Sequence, residues 1–251
     1  MQYENARDFV LPFIEKYFPI KPGMRVMENG CAEAGVLKAF YERGCECLGI
    51  ELHEERIVLG KQFLAEEMKS GRIELISKNI FHVDFEGYKG KFDLVILKDV
   101  IEHVPDQEKL IAHLGEFLNP SGKIFFGFPP WNMPFGGHQQ IAKSKFLGNL
   151  PWFHLLPKGL YRQVLNWGGE EPPTIAELME IWDCGISTAR FERSVKNTGQ
   201  IIVGRYLWLI NPIYSLKFGL KPRKLPGFLS VLPFFRDFIA TAGFYLTGKK
   251  Q

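Results

Sequence analysis

The sequence predicts an α/β fold with a doubly wound, mostly parallel sheet. Short apolar runs typical of buried strands alternate with helical stretches through the first 130 residues. The run Phe92–Leu97 is nearly all apolar, as a central parallel strand that is covered on both faces requires. Strands that alternate with helices in this way favour a parallel sheet with right-handed crossovers.

The predicted elements follow one another closely up to Pro130. A lead-in helix covers residues 4–18, where apolar side chains recur at helical spacing, and it ends at Pro19. The helices predicted between the strands cover residues 36–41, 54–69 and 106–119. Five strands are predicted in this part. The first is a short apolar run that ends with Val26 and Met27, and the others cover residues 45–51, 72–76, 92–97 and 123–128.

After Pro130 the alternation of strands and helices stops. Residues 131–173 are rich in Gly, Pro and aromatic residues, and this stretch is too long to be only a connecting loop. The elements predicted beyond them are helices at 174–182 and 188–197 and strands at 200–210 and 244–248. These two strands bring the predicted sheet to seven strands, and the proline-rich stretch 211–240 becomes an insertion between them.

A loop of small residues, from Gly30 to Gly35, connects the first strand to the next helix. Such a loop lets a ligand approach backbone N–H groups at the positive end of the helix dipole. Glu51 ends the second strand, 21 positions after Gly30. A doubly wound nucleotide-binding fold places its ribose-binding acid at about this distance. The sequence therefore predicts a ligand site at this edge of the sheet.

At these residues the chain resembles the class I S-adenosylmethionine-dependent methyltransferases. The first motif of that family is an acid, one residue, and then Gly-Cys-Gly-x-Gly, and it stands here as Glu28-Asn-Gly-Cys-Ala-Glu-Ala-Gly35. Two of the usual glycines are alanine, which permits the same close approach where φ is negative. The resemblance implies a Rossmann-like methyltransferase fold whose sheet ends in an antiparallel hairpin, with S-adenosylmethionine as the cofactor.

The resemblance also divides the chain into three parts. Residues 1–130 are expected to form the cofactor-binding core. Residues 131–199 are expected to form a cap with helices on the substrate side of the sheet. Residues 200–251 would then supply the C-terminal hairpin of strands, with the insertion at 211–240.

Five residues in or near the motif are expected, by the resemblance, to bind the cofactor. Gly30, Ala32 and Gly35 would lie against its methionine part, and Glu28 is the acid of the motif. Glu51 would take both ribose hydroxyls, because a carboxylate accepts two hydrogen bonds at once.

Four residues farther along the chain complete the expected cofactor site. Leu52 would pack on the adenine. Asn79-Ile80, after the third strand, occupies the place where the family has an acid for the adenine amino group, and a simple turn role for Asn79 is the alternative. At Lys98 the family uses the backbone carbonyl to meet the methionine amine, so the Lys98 side chain itself is expected to face solvent.

Two histidines are candidate catalytic bases. Asp99–Pro105 resembles the family's segment after the fourth strand, and the pair Glu102-His103 recurs in branches that methylate hydroxyls of quinone precursors. His103 could act as a general base because the unperturbed pKa of histidine is near neutrality, and a helix-start histidine bonded to the backbone is the alternative. His138 follows two glycines in a loop at the carboxyl end of a strand, where doubly wound folds bind ligands. His138 is therefore a second candidate base and, with Trp131, an acceptor contact, unless it is only a solvated loop residue.

Charge and aromatic residues are unevenly distributed along the chain. Residues 1–130 carry 16 Lys and Arg against 21 Asp and Glu, a net charge of −5, whereas residues 131–251 carry 15 against 7, a net charge of +8. All five tryptophans lie in the second part. The composition predicts an aromatic, basic cap that meets an apolar or anionic partner, and a core packed with aromatic side chains is the alternative.

Within that second part, the insertion 211–240 mixes apolar residues with the basic residues Lys217, Lys221, Arg223 and Lys224. Such a mixture suits an anionic membrane surface or a lipid headgroup. A solvated lid over the substrate is the alternative.

The remaining features restrict location and partners. The histidines and cysteines show no metal-binding spacing, so no metal site is expected. The cysteine pattern favours a reducing cytoplasm, and the basic, apolar stretch 211–240 favours peripheral contact at the inner membrane face. Neither a signal peptide nor a membrane-spanning apolar run is evident. Phe128-Pro-Pro-Trp131 departs from the motif of methyltransferases that act on amino groups of nucleic acids or proteins, so no nucleic-acid partner is expected.

Together these observations predict an S-adenosylmethionine-dependent methyltransferase that acts on a small, hydrophobic or aromatic acceptor, including a lipid-like one, with methylation at oxygen. The alternative is a protein that binds S-adenosylmethionine or S-adenosylhomocysteine without turnover and docks a membrane or protein partner through its cap. The altered glycine motif favours the binding protein, whereas the long cap favours the enzyme.

Overall fold

The computed structural model of the chain describes residues 1–83 and 85–250, and a mixed β-sheet forms its centre. Eight strands are present among the described residues. They are β1 (Arg25–Asn29), β2 (Glu46–Glu51), β3 (Ile73–Ser77), β4 (Phe92–Lys98), β5 (Leu118–Phe128), β6 (Gln200–Ile210), β7 (Arg223–Lys224) and β8 (Ala242–Lys249). Their order across the sheet is β3-β2-β1-β4-β5-β8-β6-β7.

The first five strands are parallel, and β8 pairs antiparallel with both β5 and β6. The α/β class, the parallel core and the antiparallel hairpin predicted from the sequence are therefore confirmed. The predicted number of seven strands is wrong by one. The additional strand, β7, is only two residues long and pairs with β6 through Trp208 and Ile210. It lies inside the predicted insertion, where Lys221-Pro-Arg-Lys224 has no period-two pattern that could identify a strand.

Helices flank the sheet and form the cap. Those of the first half are α1 (Gln2–Asn5), α2 (Leu11–Glu15), α3 (Gly35–Tyr41), α4 (Glu54–Phe63), α5 (Ala65–Met68), α6 (Phe85–Tyr88) and α7 (Gln107–Phe117). Those of the second half are α8 (Lys145–Gly148), α9 (Lys158–Trp167), α10 (Pro172–Cys184), α11 (Thr188–Asn197), α12 (Ile213–Phe218), α13 (Gly227–Ser230) and α14 (Phe235–Ile239). A π-helical turn, Ala6–Val10, joins α1 to α2, and the predicted helix 54–69 is interrupted at Leu64. In the described part of the chain, no helix combines the length and the apolar character that crossing a bilayer requires.

The side chains of each central strand pack into two hydrophobic clusters, one on each face of the sheet. In β4, Leu94 and Ile96 belong to the cluster that includes α2 and α3, whereas Val95 and Leu97 belong to the cluster that includes α7 and α11. This alternation follows from the two-residue period of a strand. It explains why the run Phe92–Leu97 is almost continuously apolar, because both faces of β4 are covered.

The cap between β5 and β6 has a hydrophobic cluster of its own. Its buried members are Leu147, Phe153, Tyr161, Leu165, Leu178 and Met179. The cap also contacts the core, because the Gln107 side-chain amide on α7 donates to the carbonyl of Cys184 at the end of α10 over 3.1 Å. The residues 131–173 thus contain the helix α9, which the sequence analysis did not anticipate.

The insertion between β6 and β8 is attached to the core by a charged cluster around Glu192 on α11. The Glu192 carboxylate pairs with Arg236 at 2.6 Å and with Arg205 at 2.8 Å, and it accepts a hydrogen bond from the Tyr245 hydroxyl at 3.1 Å. The Arg236 side chain is only 4% exposed, and its Nε also donates to the Thr188 hydroxyl. A buried guanidinium needs such partners, because an unpaired buried charge is strongly destabilising.

The replacement Glu192→Ala should lower the free energy of unfolding by about 3 kcal/mol, because it leaves the buried Arg236 without its carboxylate partner. Chemical denaturation followed by circular dichroism measures this change. Glu180→Ala on the neighbouring helix α10 is the matched control, since Glu180 is exposed and forms no ion pair with any described residue. Equal stability of the two variants would contradict the structural role of Glu192.

Candidate functional site

The candidate site lies at the carboxyl ends of β1 and β4. The chain leaves β1 towards β2 and β3 on one side and continues through β4 and β5 on the other, so the strand order reverses between β1 and β4. Open α/β sheets bind ligands in the crevice at such a switch point. The loop after β1 and the turn after β4 therefore provide the residues that line the crevice.

The loop after β1 folds closely against both neighbouring strands. The N–H groups of Gly30 and Cys31 donate to the carbonyl of Ile50 on β2, over 2.7 and 3.1 Å. Gly30 has a φ of +73°, and a Cβ atom there would lie 2.3 Å from the Cγ2 atom of Val100. Glycine is required at this position because it avoids both the clash and the left-handed strain.

The two alanines of the loop do not have the negative φ that the sequence analysis assumed. Ala32 has a φ of 49° and Ala34 a φ of 60°, and both lie in the left-handed region that glycine adopts most easily. The loop thus keeps a glycine-type conformation although alanine occupies two of its positions. Holding an L-residue in this region costs roughly 1–2 kcal/mol, which the surrounding contacts offset.

The carboxylate of Glu51 joins the loop to the end of β2. Its Oε2 atom accepts a hydrogen bond from the Ala32 N–H at 2.9 Å, and its Oε1 atom accepts from the N–H groups of Leu52 and His53 at 2.8 and 3.1 Å. Glu51 is buried, whereas the next residue, Leu52, is 62% exposed. Glu51 therefore has a structural role that the sequence did not indicate, and its contact with the ribose of the cofactor remains a prediction.

Glu28 and Lys98 are buried beside each other below the loop. Glu28 is 2% exposed and its Oε2 atom has no hydrogen-bond partner. Burial raises the pKa of Glu28 well above its usual value, against the opposing effect of Lys98. An unpaired buried carboxyl oxygen at a crevice is free to bind a polar ligand group.

The expectation that the Lys98 side chain faces solvent is wrong. This side chain is only 12% exposed and pairs with Asp99. Burial by itself lowers the pKa of Lys98, but the carboxyl groups of Asp99, Glu102 and Glu28 together raise it above the usual value. Lys98 stays in the crevice because these carboxyl groups compensate for its lost hydration.

Asn79 and Ile80 lie at the end of β3. The Asn79 side chain accepts a hydrogen bond from the N–H of Phe81 at 3.0 Å and begins a short 3₁₀ turn, Ile80–His82. Ile80 is buried. The turn role that was the alternative for Asn79 is therefore present, and contact of the pair with adenine remains a prediction.

The two candidate catalytic histidines are neighbours in the structure. His103 ends the short turn Ile101–His103 after β4, and His138 lies in the loop after β5 with a left-handed φ of 53°. Their ring centroids are 5.1 Å apart. A third side chain, Glu102, joins them. Each of Glu102, His103 and His138 has one possible ligand atom, and these atoms lie within 4.8 Å of one another, so the three could hold a divalent cation. Spacing along the chain did not indicate this cluster, because the loop after β5 folds back over the turn after β4.

The pKa values of both histidines are lowered, although His138 is partly buried and His103 is exposed at the surface. Burial, and then the neighbouring His103, lower the pKa of His138 to about 4. Burial lowers the pKa of His103 as well, although Glu177 and Asp99 oppose the shift. A neutral imidazole can accept a proton, which a general base must do.

The two glycines before His138 allow the loop to pack closely against the cap. A Cβ atom at Gly136 would lie 2.2 Å from the carbonyl oxygen of Trp131, and one at Gly137 would lie 2.4 Å from the Cβ of His154. The Trp131 ring itself packs edge-on against His154, with centroids 4.6 Å apart. The structure thus places Trp131 on the cap beside His154, and its contact with the acceptor remains a prediction.

Three residues near the histidines were not selected from the sequence. Asp99 has a left-handed φ of 56°, and Glu102 is buried with both carboxyl oxygens unpaired. Burial and then the charge of Asp99 raise the pKa of Tyr214 on α12, so Tyr214 lies within electrostatic range of Asp99. The motif Asp99–Pro105 contained a signal for the two acids, whereas Tyr214 is more than 100 positions away and had none.

A family described as a methyltransferase domain matches residues 2–172, which is more than half of the chain. The chain belongs to this methyltransferase family. The match covers the loop after β1, the turn after β4 and the loop that carries His138. The class I, S-adenosylmethionine-dependent methyltransferase resemblance stated from residues 28–35 is therefore confirmed.

Individual relatives are similar over parts of their length. A ubiquinone biosynthesis O-methyltransferase of Thiobacillus denitrificans is 30% identical over 104 residues, which are 41% of this chain and 44% of the relative. Phosphoethanolamine N-methyltransferase 2 of Caenorhabditis elegans is 30% identical over 115 residues, or 45% of this chain and 26% of the relative. A structure of geranyl diphosphate methyltransferase in complex with S-adenosylmethionine superposes with a TM-score of 0.59 at 15% identity, covering 99% of this chain and 85% of the other. The chain thus spans about half the length, or less, of these two curated relatives.

Acidification should destabilise the fold through His154, which is fully buried and bonds the Trp131 carbonyl through Nε2. Burial lowers the pKa of His154 to about 4, whereas an unfolded histidine titrates near 6.5. The unfolded state therefore binds the additional proton between these values, so the stabilisation is complete above about pH 6.5 and is lost towards pH 4. The difference amounts to about 3 kcal/mol, measured by chemical denaturation at a series of pH values.

His154→Phe should reduce the dependence of the unfolding free energy on pH between about 4 and 6.5, because one titrating group is removed while His138 remains. Phe153→Leu is the control, since it alters the packing of the adjacent side chain and removes no titrating group. An unchanged slope in His154→Phe would rule out His154 as a source of the pH dependence.

Proposed function

We propose that this chain is an S-adenosylmethionine-dependent methyltransferase that methylates an oxygen atom of a small, hydrophobic or aromatic acceptor. The observation that carries the proposal is the neutral pair His103 and His138 beside the crevice at β1 and β4. A hydroxyl group that receives a methyl group must lose its proton, and a neutral imidazole at the reacting oxygen can accept it. Membership of the methyltransferase family supports the reaction type.

The residues at the crevice fit the cofactor. S-adenosylmethionine, when bound, supplies a methyl group on a positively charged sulfur. Glu51 would accept from the ribose hydroxyls, and the unpaired Oε2 of Glu28 would accept from the methionine amine. Gly30, where the loop passes close to Val100, would lie against the methionine part, and the exposed Leu52 would cover one face of the adenine. Alignment of donor and acceptor is worth ~7–11 kcal/mol in well-oriented reactions, so binding geometry is the main task of these residues.

The surroundings of the histidines suit an acceptor that combines an apolar body with one hydroxyl group. The loop of His138 packs on the cap beside His154, and Tyr214 approaches from the insertion. Sites of this kind bind apolar ligands and orient them by a few polar groups. The relatives named for ubiquinone biosynthesis and the structure named for geranyl diphosphate are in keeping with a hydrophobic acceptor.

The alternative, a protein that binds the cofactor without turnover, was based on the two alanines in the glycine motif. Ala32 and Ala34 nevertheless adopt left-handed conformations, which glycine takes most easily. The altered motif therefore no longer favours the alternative, and the histidine pair has no purpose in it. A catalytic methyltransferase remains the better explanation.

Glu51→Ala should weaken binding of S-adenosylmethionine by ~1.5–3 kcal/mol, the scale of hydrogen bonds to a charged group. Isothermal titration measures the affinity. Because the same carboxylate also binds the loop N–H groups, a modest loss of thermal stability should accompany the change. Glu54→Ala, an exposed acid at the start of α4, is the control and should keep both properties. Unchanged affinity in Glu51→Ala would remove Glu51 from the cofactor site.

His138→Ala should lower turnover by ~10²–10⁴-fold, the usual contribution of a general base, and should leave cofactor affinity nearly unchanged. Turnover is measured as S-adenosylhomocysteine released with a panel of phenolic and other hydroxylated acceptors. Gln140→Ala changes an exposed residue of the same loop and should retain activity. Wild-type turnover in both His138→Ala and His103→Ala would disprove base catalysis by this pair.

A further inference from the structure

The insertion between β6 and β8 exposes many large apolar side chains to solvent. We refer to residues 216–235 as the apolar face. Its exposed apolar members are Leu216, Phe218, Leu220, Phe228, Val231, Leu232, Phe234 and Phe235. Phe218, Phe228 and Phe235 are 66%, 72% and 65% exposed. Single exposed apolar residues are common on proteins, but a concentration of this kind marks a contact surface.

A strained backbone turn contains two of these exposed aromatic residues, Phe234 and Phe235. The N–H of Phe235 donates to the carbonyl of Pro233 at 2.8 Å, across Phe234, whose φ and ψ are 69° and −60°. This is the classic form of the γ-turn, which is rare and strained for any residue other than glycine. Phe234 is nevertheless 58% exposed, so burial of its ring within the chain does not compensate for the strain. Such strain is typical of functional contacts.

The exposed charges on the same segment are all positive. Lys217, Lys221 and Arg223 are exposed and form no ion pair with any residue that the structure describes. Lys224 lies over the ring of Tyr206 at 3.5 Å. The one acid of the insertion, Asp237, is fully buried and binds Thr188. The apolar face therefore combines aromatic side chains with a positive potential and has no exposed negative charge.

The base of the insertion is anchored, so the apolar face has a defined orientation. Leu225 is buried in the core cluster next to α7 and α11, and Arg236 is held by Glu192 and by the carbonyl of Ser230. At its other end, α12 reaches the candidate site, because Tyr214 lies near Asp99 and its ring contacts that of Phe218 at 5.5 Å. The apolar face is thus connected directly to the catalytic crevice.

We propose that the apolar face docks the protein on the surface of an anionic lipid bilayer. Aromatic side chains enter the boundary between headgroups and acyl chains, while lysine and arginine bind the anionic headgroups. A second copy of this chain is a poorer occupant, because it would bring Lys217, Lys221 and Arg223 of both copies together without an acid between them. The proposal stands independently of the proposed function, since docking does not require turnover.

The test is co-sedimentation of the full chain with vesicles of phosphatidylcholine alone and of phosphatidylcholine mixed with phosphatidylglycerol. The protein should bind the anionic vesicles at low salt and be released as salt screens the attraction. Lys217→Gln with Lys221→Gln should weaken binding about fivefold for each charge removed. Phe228→Ser with Phe235→Ser should weaken it further, because the apolar contact is lost.

Matched control variants come from outside the insertion. Phe146→Ser with Trp167→Ser removes two aromatic side chains of the cap that are 74% and 73% exposed, and Lys61→Gln with Lys91→Gln removes two exposed charges of the core. All four double variants should keep wild-type cofactor affinity, which verifies their fold. The proposal is overturned if the wild type stays in the supernatant with both kinds of vesicle or if the controls lose as much binding as the insertion variants. It is also overturned if ultracentrifugation shows a dimer that the Phe228 and Phe235 changes abolish while vesicle binding is absent.

Discussion

The hydrogen bonds of the Glu51 carboxylate to three backbone N–H groups are the interaction on which the rest of the site depends. They fix the loop after β1 against the end of β2, and they do so from a buried position at the edge of the crevice. The loop contains two alanines in left-handed conformations, and the Glu51 carboxylate bonds the N–H of one of them, Ala32. The same carboxylate is available to the ribose of a bound cofactor, so one side chain serves both the fold and the proposed binding.

Burial of ionisable groups determines the chemistry at the switch point. Lys98 remains close to Glu28 and Glu102, whose carboxyl groups are buried and whose pKa values are raised by the loss of water. The histidine pair is affected in the opposite sense, since burial lowers both of its pKa values. In each case the uncharged form is favoured, which is the general effect of removing water from an ionisable group. Burial thus shifts Glu28, Glu102 and the histidines towards their uncharged forms, whereas Asp99 is the first of the carboxyl groups that raise the pKa of Lys98.

The cap and the insertion perform different structural tasks around this crevice. The cap has its own small core and covers the turn that carries His103. The insertion has no comparable core of its own, and it is anchored at its base, where Arg236 and Glu192 pair. Many of its large apolar side chains are therefore exposed to solvent.

The sequence by itself determined the parallel core, the order of its elements and the position of the loop after β1, because strand burial and this loop depend on local patterns. The apolar run of β4 and the acid at Glu51 are examples, since each can be recognised from a few consecutive residues. The tertiary structure alone decided the eighth strand, the burial of Lys98 and the meeting of His103 with His138. Each of these depends on segments that are distant in the chain and become neighbours only when loops fold over the edge of the sheet. A local pattern contains no information about the charges that a distant segment brings to the site or the water that it excludes. These two effects decide the protonation of the site.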